Sequence, residues 1–233
     1  MSVGLLVFVP VVVVLPYLIY KWVNFGPITQ EELASDKGLI FFSVLGILPT
    51  HVLTLVLAWV ILRAGGMRPF WKSVGFEWPQ NMSPILVTTL SVLTALVLLA
   101  LAWLVTAIYG GNKTQLDLLI ESSMPARFAT AFIAVATAPL VEELIYRGVL
   151  YPAIEKAAGV GVAIGVVSLL FAGVHVFQYI NNVSVIIVIT VLSFTLTAAR
   201  AITGKVLPSF IMHLVFNGIQ SIILVLAPFI EKT

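Results

Sequence analysis

Uncharged apolar runs separated by short polar loops set the plan of this chain. No Asp, Glu, Lys or Arg stands between Lys37 and Arg63, Glu77 and Lys113, Lys156 and Arg200, or Lys205 and Glu231. About 20 mostly apolar residues, rising 1.5 Å each, cross a hydrocarbon core of about 30 Å. Each run is long enough for one helical span, and the Lys156–Arg200 run for two. The pattern predicts an all-α fold, a polytopic transmembrane helical bundle of seven spans, or eight if a long one is really two.

The expected spans run from about Val3 to Trp22, broken by Pro10 and Pro16, and from Gly38 to Leu62, with Pro49 and His51 inside. The third, Ser83 to Tyr109, has no ionisable group, reads as lipid-facing scaffold and stops at Gly110-Gly111. The fourth starts near Pro125 and continues towards Pro152 and Lys156. The fifth, Ala158 to Phe177, carries a Gly161-x-x-x-Gly165 pair that reads as helix packing. The sixth covers Val183 to Ala199, after the polar turn Gln178–Asn182, and the seventh Val206 to Ile230.

Between spans, Lys21–Lys37 is an aqueous loop, Phe70, Trp71 and Trp78 read as an interfacial aromatic belt, and Thr114–Ser123 as an amphipathic interfacial piece. No repeat or linker divides the chain, so residues 1–233 read as a single integral-membrane domain with a motif-bearing core over 126–230.

Composition agrees. Apolar residues make up 61% and charged residues 9%, and mean hydropathy is +1.13, beyond what a soluble domain can cover with polar surface. A net charge of +2 shows no basic patch for nucleic acid, and the absence of Cys removes disulfides, Cys-ligated zinc and a thiol nucleophile. Loop charges set Arg63, Arg68, Lys72, Lys156, Arg200 and Lys205 against Lys21, Lys37, Lys113, Arg127 and Lys232, a lean towards an inside N-terminus. The uncharged first twenty residues read as a retained span rather than a cleaved signal.

Against this background ionisable residues within spans are functional candidates. Glu143 and Arg147 stand at i and i+4, the favourable order for a pair on one helix face, and Glu142 is turned about 100° away. Pro139 removes a backbone donor just upstream and predicts a local opening of the helix. His213 and Asn217 share a helix face four residues apart, and His175 lies near the end of the fifth span. His51 reads as a hydrogen-bonded core histidine. A carboxylate and an imidazole holding a water form the general-base half of a hydrolase, and an amide with a second imidazole can face an oxyanion. No Ser or Cys stands out as a nucleophile. Glu142, His175 and His213 are also adequate ligands for a divalent metal such as zinc. The same cluster read without catalysis is an interhelical polar network, in a membrane scaffold or a bacteriocin-immunity-type protein; a proton-coupled transporter is a third reading.

Glu142-Glu143-Leu144-Ile145-Tyr146-Arg147-Gly148, Phe171-Ala172-Gly173-Val174-His175 and His213-Leu214-Val215-Phe216-Asn217 resemble, in order and spacing, the Glu-Glu-x-x-x-Arg, Phe-x-x-x-His and His-x-x-x-Asn motifs of the CAAX protease and bacteriocin-processing (CPBP, or Abi) intramembrane proteases. That family includes the enzyme that removes the last three residues from prenylated proteins. The resemblance implies an intramembrane peptidase acting on a hydrophobic or lipidated peptide or protein at the bilayer. It implies that Glu142 activates water with His175, that His213 and Asn217 face the oxyanion, and that Glu143 and Arg147 support them. Both metal-dependent and metal-free glutamate mechanisms have been put forward for the family. Tyr146 stands where Phe is common.

Overall fold

The computed structural model describes residues 2–66, 69–111, 113–179 and 181–230. Arg68 and Lys232, counted above in the loop charges, and Ile180 of the polar turn lie outside the described residues. All regular structure among the described residues is helical. In chain order the helices are α1 (Ser2–Phe25), α2 (Gln30–Ser35), α3 (Lys37–Leu45), α4 (Ile47–Ala64), α5 (Phe70–Ser73), α6 (Pro84–Tyr109), α7 (Gln115–Ser122), α8 (Met124–Phe132), α9 (Ala138–Glu143), α10 (Tyr151–Ala158), α11 (Val160–Tyr179), α12 (Val183–Thr203) and α13 (Leu207–Ile230). Five stretches are long and apolar enough to cross a membrane: Lys37–Ala64, Pro84–Tyr109, Met124–Ala158, Val183–Thr203 and Leu207–Ile230. Val11–Phe25 and Val160–Val176 are shorter apolar helices.

Several expected boundaries have visible causes. Ser83 caps α6 by accepting from Leu86 N, and Pro84 occupies its first turn, where a missing N–H costs nothing. Gly110, at φ 71°, ends it. Thr114 and Asp117 form a capping box on α7. The first helix departs from expectation: α1 runs through Pro10 and Pro16 without interruption. So does the third span, which is more than scaffold. Its Ala95 and Leu98 join Leu192 and Leu196 of α12 and Met212 and Phe216 of α13 in one core cluster, while Ile85, Val97 and Trp103 face outward. Gly161 and Gly165 have open space where a Cβ would stand, so they are not a packing contact here.

The α5 loop docks on the bundle instead of only lining an interface. Val206 N–H donates to Gly75 O, Lys205 pairs with Glu77 at 2.6 Å, and Phe76 meets Phe210 at 5.2 Å. Trp71 and Trp78 remain exposed, as a belt requires. Val74 lies so close to Gly148 that a Cβ there would stand 3.0 Å from Val74 Cβ and 3.1 Å from its carbonyl oxygen. The last residue of the Glu-Glu-x-x-x-Arg-Gly stretch is therefore a packing glycine.

At the opposite end, Asp36 joins α1 to α3. It accepts from Tyr17 Oη at 2.8 Å and from Leu39 N at 2.9 Å, and pairs with Lys21 at 2.6 Å. Burial raises its pKa, but the bonds from Lys21, Leu39 and Tyr17 outweigh burial and bring it down to about 2. The folded form thus binds this proton more weakly than the unfolded chain. Its contribution is complete above the ordinary value of 3.8 and is lost as pH falls towards 2. The melting temperature should fall over that window, and more steeply than in Asp36→Asn, which lacks the titrating group.

Candidate active site

The Met124–Ala158 stretch is not one α-helix. Wider π turns occupy Ile133–Thr137 and Leu144–Leu150, and the short α9 that carries both acids lies between them. Each π turn ends just before a proline, Pro139 or Pro152. A proline ring clashes with the carbonyl four residues back and gives it no N–H, and widening to i→i−5 bonding relieves the clash. Ala138 N–H accordingly donates to Ile133 O, and Tyr151 N–H to Tyr146 O. In this register the carbonyl of Ala134 would take its bond from residue 139, which has none to give. Asn217 Nδ2 donates to it at 2.9 Å. The opening expected before the acids is present, and a motif residue of α13 closes it.

Glu143 and Arg147 are both fully buried and paired at 3.0 Å. Arg147 also donates from Nη2 to the carbonyl and hydroxyl of Ser193 and from Nε to Thr197 Oγ1, so its guanidinium ties the motif helix to α12. Arg200 Nε donates back to the Arg147 carbonyl. Glu143 and Arg147 form an ion pair on one helix, as the spacing indicated.

The two acids do not diverge as the helical angle suggested. Both approach His213, from opposite sides of the ring. Nδ1 lies 3.0 Å from Glu143 Oε1, and Nε2 lies 3.7 Å from Glu142 Oε2. Glu143 is sealed, whereas the Glu142 side chain keeps 24% exposure. A carboxylate already holding a guanidinium accepts from His213 Nδ1–H, which leaves Nε2 facing Glu142. His175 is pinned in the same tautomer, since its Nδ1 lies 2.8 Å from the Phe171 carbonyl, which can only accept. Phe171, 2% exposed, stands among these groups with ring distances of 4.7 Å to His175 and 5.8 Å to His213, and the Arg147 guanidinium is 4.5 Å from its centroid. The first residue of the Phe-x-x-x-His motif is therefore the apolar floor of the site.

His51 is a buried, hydrogen-bonded histidine, as expected, but its partner is not a neighbour on its own helix. Its helical neighbours Thr50 and Thr54 bond their own backbone, to Gly46 O and Thr50 O. The ring instead crosses to Thr137 Oγ1 at 2.8 Å and lies within electrostatic reach of Glu142. Tyr179 lies within reach of Glu142 as well. No helical spacing in the sequence links residues 51 and 137.

The zinc set Glu142, His175 and His213 is a poor fit as arranged. Glu142 and His213 are close enough to share an ion, but among the described residues no three His, Asp or Glu side chains form a group able to hold one. The nearest further carboxylate, Glu143, is engaged by Arg147 and His213.

Residues 124–219 match the model of the Rce1-like type II CAAX prenyl endopeptidases. Over that segment the chain is similar to the CAAX proteases. No curated protein and no solved structure matches the chain. The matched segment begins with α8 and ends in α13, so it takes in all three motifs and the residues named above around Phe171, while His51 lies outside it. The CAAX proteases are integral-membrane enzymes acting on membrane-associated substrates, in keeping with the apolar helices of this chain.

Proposed function

We propose that this chain hydrolyses a peptide bond of a prenylated, CAAX-type protein or peptide with a water activated by Glu142. The observation that carries the reading is the clasp on His213, with a sealed carboxylate on Nδ1 and a partly exposed one 3.7 Å from Nε2. At that separation Glu142 can hold a water and afterwards pass the proton it takes on to Nε2, and its exposure leaves a route for the water. Orientation of an imidazole by a buried carboxylate is the device that hydrolytic triads use.

In the proposed cycle the water attacks the scissile carbonyl carbon and gives its proton to Glu142. His175, with Nδ1–H held by Phe171 O, offers its Nε2 lone pair to the second hydrogen of the same water. The proton passes from Glu142 to His213 Nε2, and the imidazolium between two carboxylates then faces the oxyanion. Asn217 has one amide hydrogen committed to Ala134 O and the other free for the same oxygen. When the tetrahedral adduct collapses, the C–N bond breaks and the His213 proton goes to the leaving nitrogen.

Protein reconstituted in liposomes should release the last three residues of a farnesylated CAAX peptide, with one ¹⁸O from labelled water in the new carboxylate, as read by mass spectrometry. His175→Ala should stop release while the circular dichroism spectrum and elution volume stay unchanged. Release by His175→Ala at the wild-type rate would remove His175 from the site. Cleavage of an unprenylated hydrophobic peptide in preference to the farnesylated one would change the substrate class but not the chemistry.

A further inference from the structure

We infer that His51 is a positioning residue of this site, holding through Thr137 the π turn from which Glu142 is suspended. The inference rests on the reading of Glu142 as the base. His51 belongs to α4, outside the matched segment and outside the three motifs, and it is 8% exposed.

The hydrogen-bond chain has a definite direction. Thr137 Oγ1 donates to Ile133 O at 3.3 Å, so its oxygen must accept from His51 Nδ1–H at 2.8 Å. Ile133 O is the carbonyl that also receives Ala138 N–H in the widened register. His51 therefore anchors the turn at its last residue. Thr137 is also where the backbone leaves helical values, at φ −122° and ψ −41°. From the other side Asn217 holds the orphaned carbonyl of Ala134. The turn that Pro139 loosened is thus clamped between α4 and α13, and the six residues of α9 that follow it end in Glu142 and Glu143.

A clamp of this kind fixes the height and rotation of Glu142 relative to His213. Errors of about 1 Å in such placement cost on the order of 10²-fold in rate. The arrangement also makes all three histidines of the chain alike, each with Nδ1–H committed and Nε2 left over. For His51 the clamp assigns the work to Nδ1, which is testable because Asn places its amide nitrogen near the Nδ1 position and Gln near the Nε2 position.

The experiment measures kcat and KM of reconstituted protein on the farnesylated peptide for His51→Leu, His51→Asn, His51→Gln, Thr137→Val, Thr137→Ser and the Leu/Val double variant. His51→Leu and Thr137→Val should each lower kcat by about 10- to 100-fold with KM little changed. His51→Asn and Thr137→Ser should recover most of the rate, and His51→Gln should not. The double variant should lose no more than the worse single, since both break one chain. If His51→Leu does not fold, Thr137→Val, which only exchanges a hydroxyl for a methyl, carries the test alone. Wild-type kcat in His51→Leu and Thr137→Val, losses that multiply in the double variant, or rescue by Gln in place of Asn would each overturn the inference. Glu142→Gln is the control: if it keeps wild-type kcat, the site itself is wrong and the inference falls with it. If it is inactive while the His51 and Thr137 variants are normal, only the inference falls.

Discussion

Glu142→Gln is expected to lower kcat by roughly 10²- to 10⁴-fold, the range for loss of a general base, and to leave the melting temperature close to wild type. The side chain gives little to stability: its one close polar contact among the described residues is the 3.7 Å approach to His213, too long for a hydrogen bond, and it is partly exposed. Gln has nearly the same shape and can still bind water, but it cannot take a proton. Activity should therefore fall without a matching change in fold or in KM. Kinetics on the farnesylated peptide, with thermal denaturation in the same detergent, checks both halves. A lower melting temperature with unchanged kcat would return the cluster to a structural network.

Arg147→Leu should do the opposite and destabilise the bundle by about 3–5 kcal/mol, the cost of leaving a buried charge without its partner. Every contact of this side chain is internal. Removing the guanidinium strands Glu143 at zero exposure and empties the bonds to Ser193 and Thr197 that tie the motif helix to α12. Arg147→Lys should be little better, because a single ammonium cannot serve four acceptors on three residues spread across a planar fork. The double variant Glu143→Met/Arg147→Leu should recover much of the stability, since a well-packed apolar pair often equals a buried ion pair. It should stay inactive, because His213 then loses the carboxylate that orients it. Denaturant titration of the purified protein, read beside peptide cleavage, separates these outcomes.

The two predictions express a division of labour that only part of the sequence reveals. The i, i+4 spacing of Glu143 and Arg147 is a local property, and the pair forms as written. Pro139 likewise announced an opening, because a missing N–H acts on its own turn of helix, whereas the second opening, ahead of Pro152, was not foreseen. The angular argument that sent Glu142 away from Glu143 was too narrow. It considered directions around one helix axis, whereas an imidazole from another helix can insert its edge between two neighbouring carboxylates and meet both. Asn217 shares a helix face with His213 by spacing, and what the spacing does not show is that its Nδ2 also serves a carbonyl on another helix.

Taken alone, the sequence determined the class of the protein. Uncharged runs of the length of a bilayer can only be helices in a membrane, caps and glycines mark several of their ends, and three ordered motifs bring the family. These features are periodic or local, and a chain carries them whatever it packs against. Tertiary structure decided which groups meet: Glu142 and Glu143 on one histidine, Phe171 beneath them, Val74 against Gly148, and His51 on Thr137 across 86 residues. Those meetings depend on how helices rotate and cross, and the two π turns shift that rotation just where the acids stand. Hydrophobic periodicity says which face of a helix is apolar; in a chain that is apolar on nearly every face, it cannot say which polar groups will share the interior.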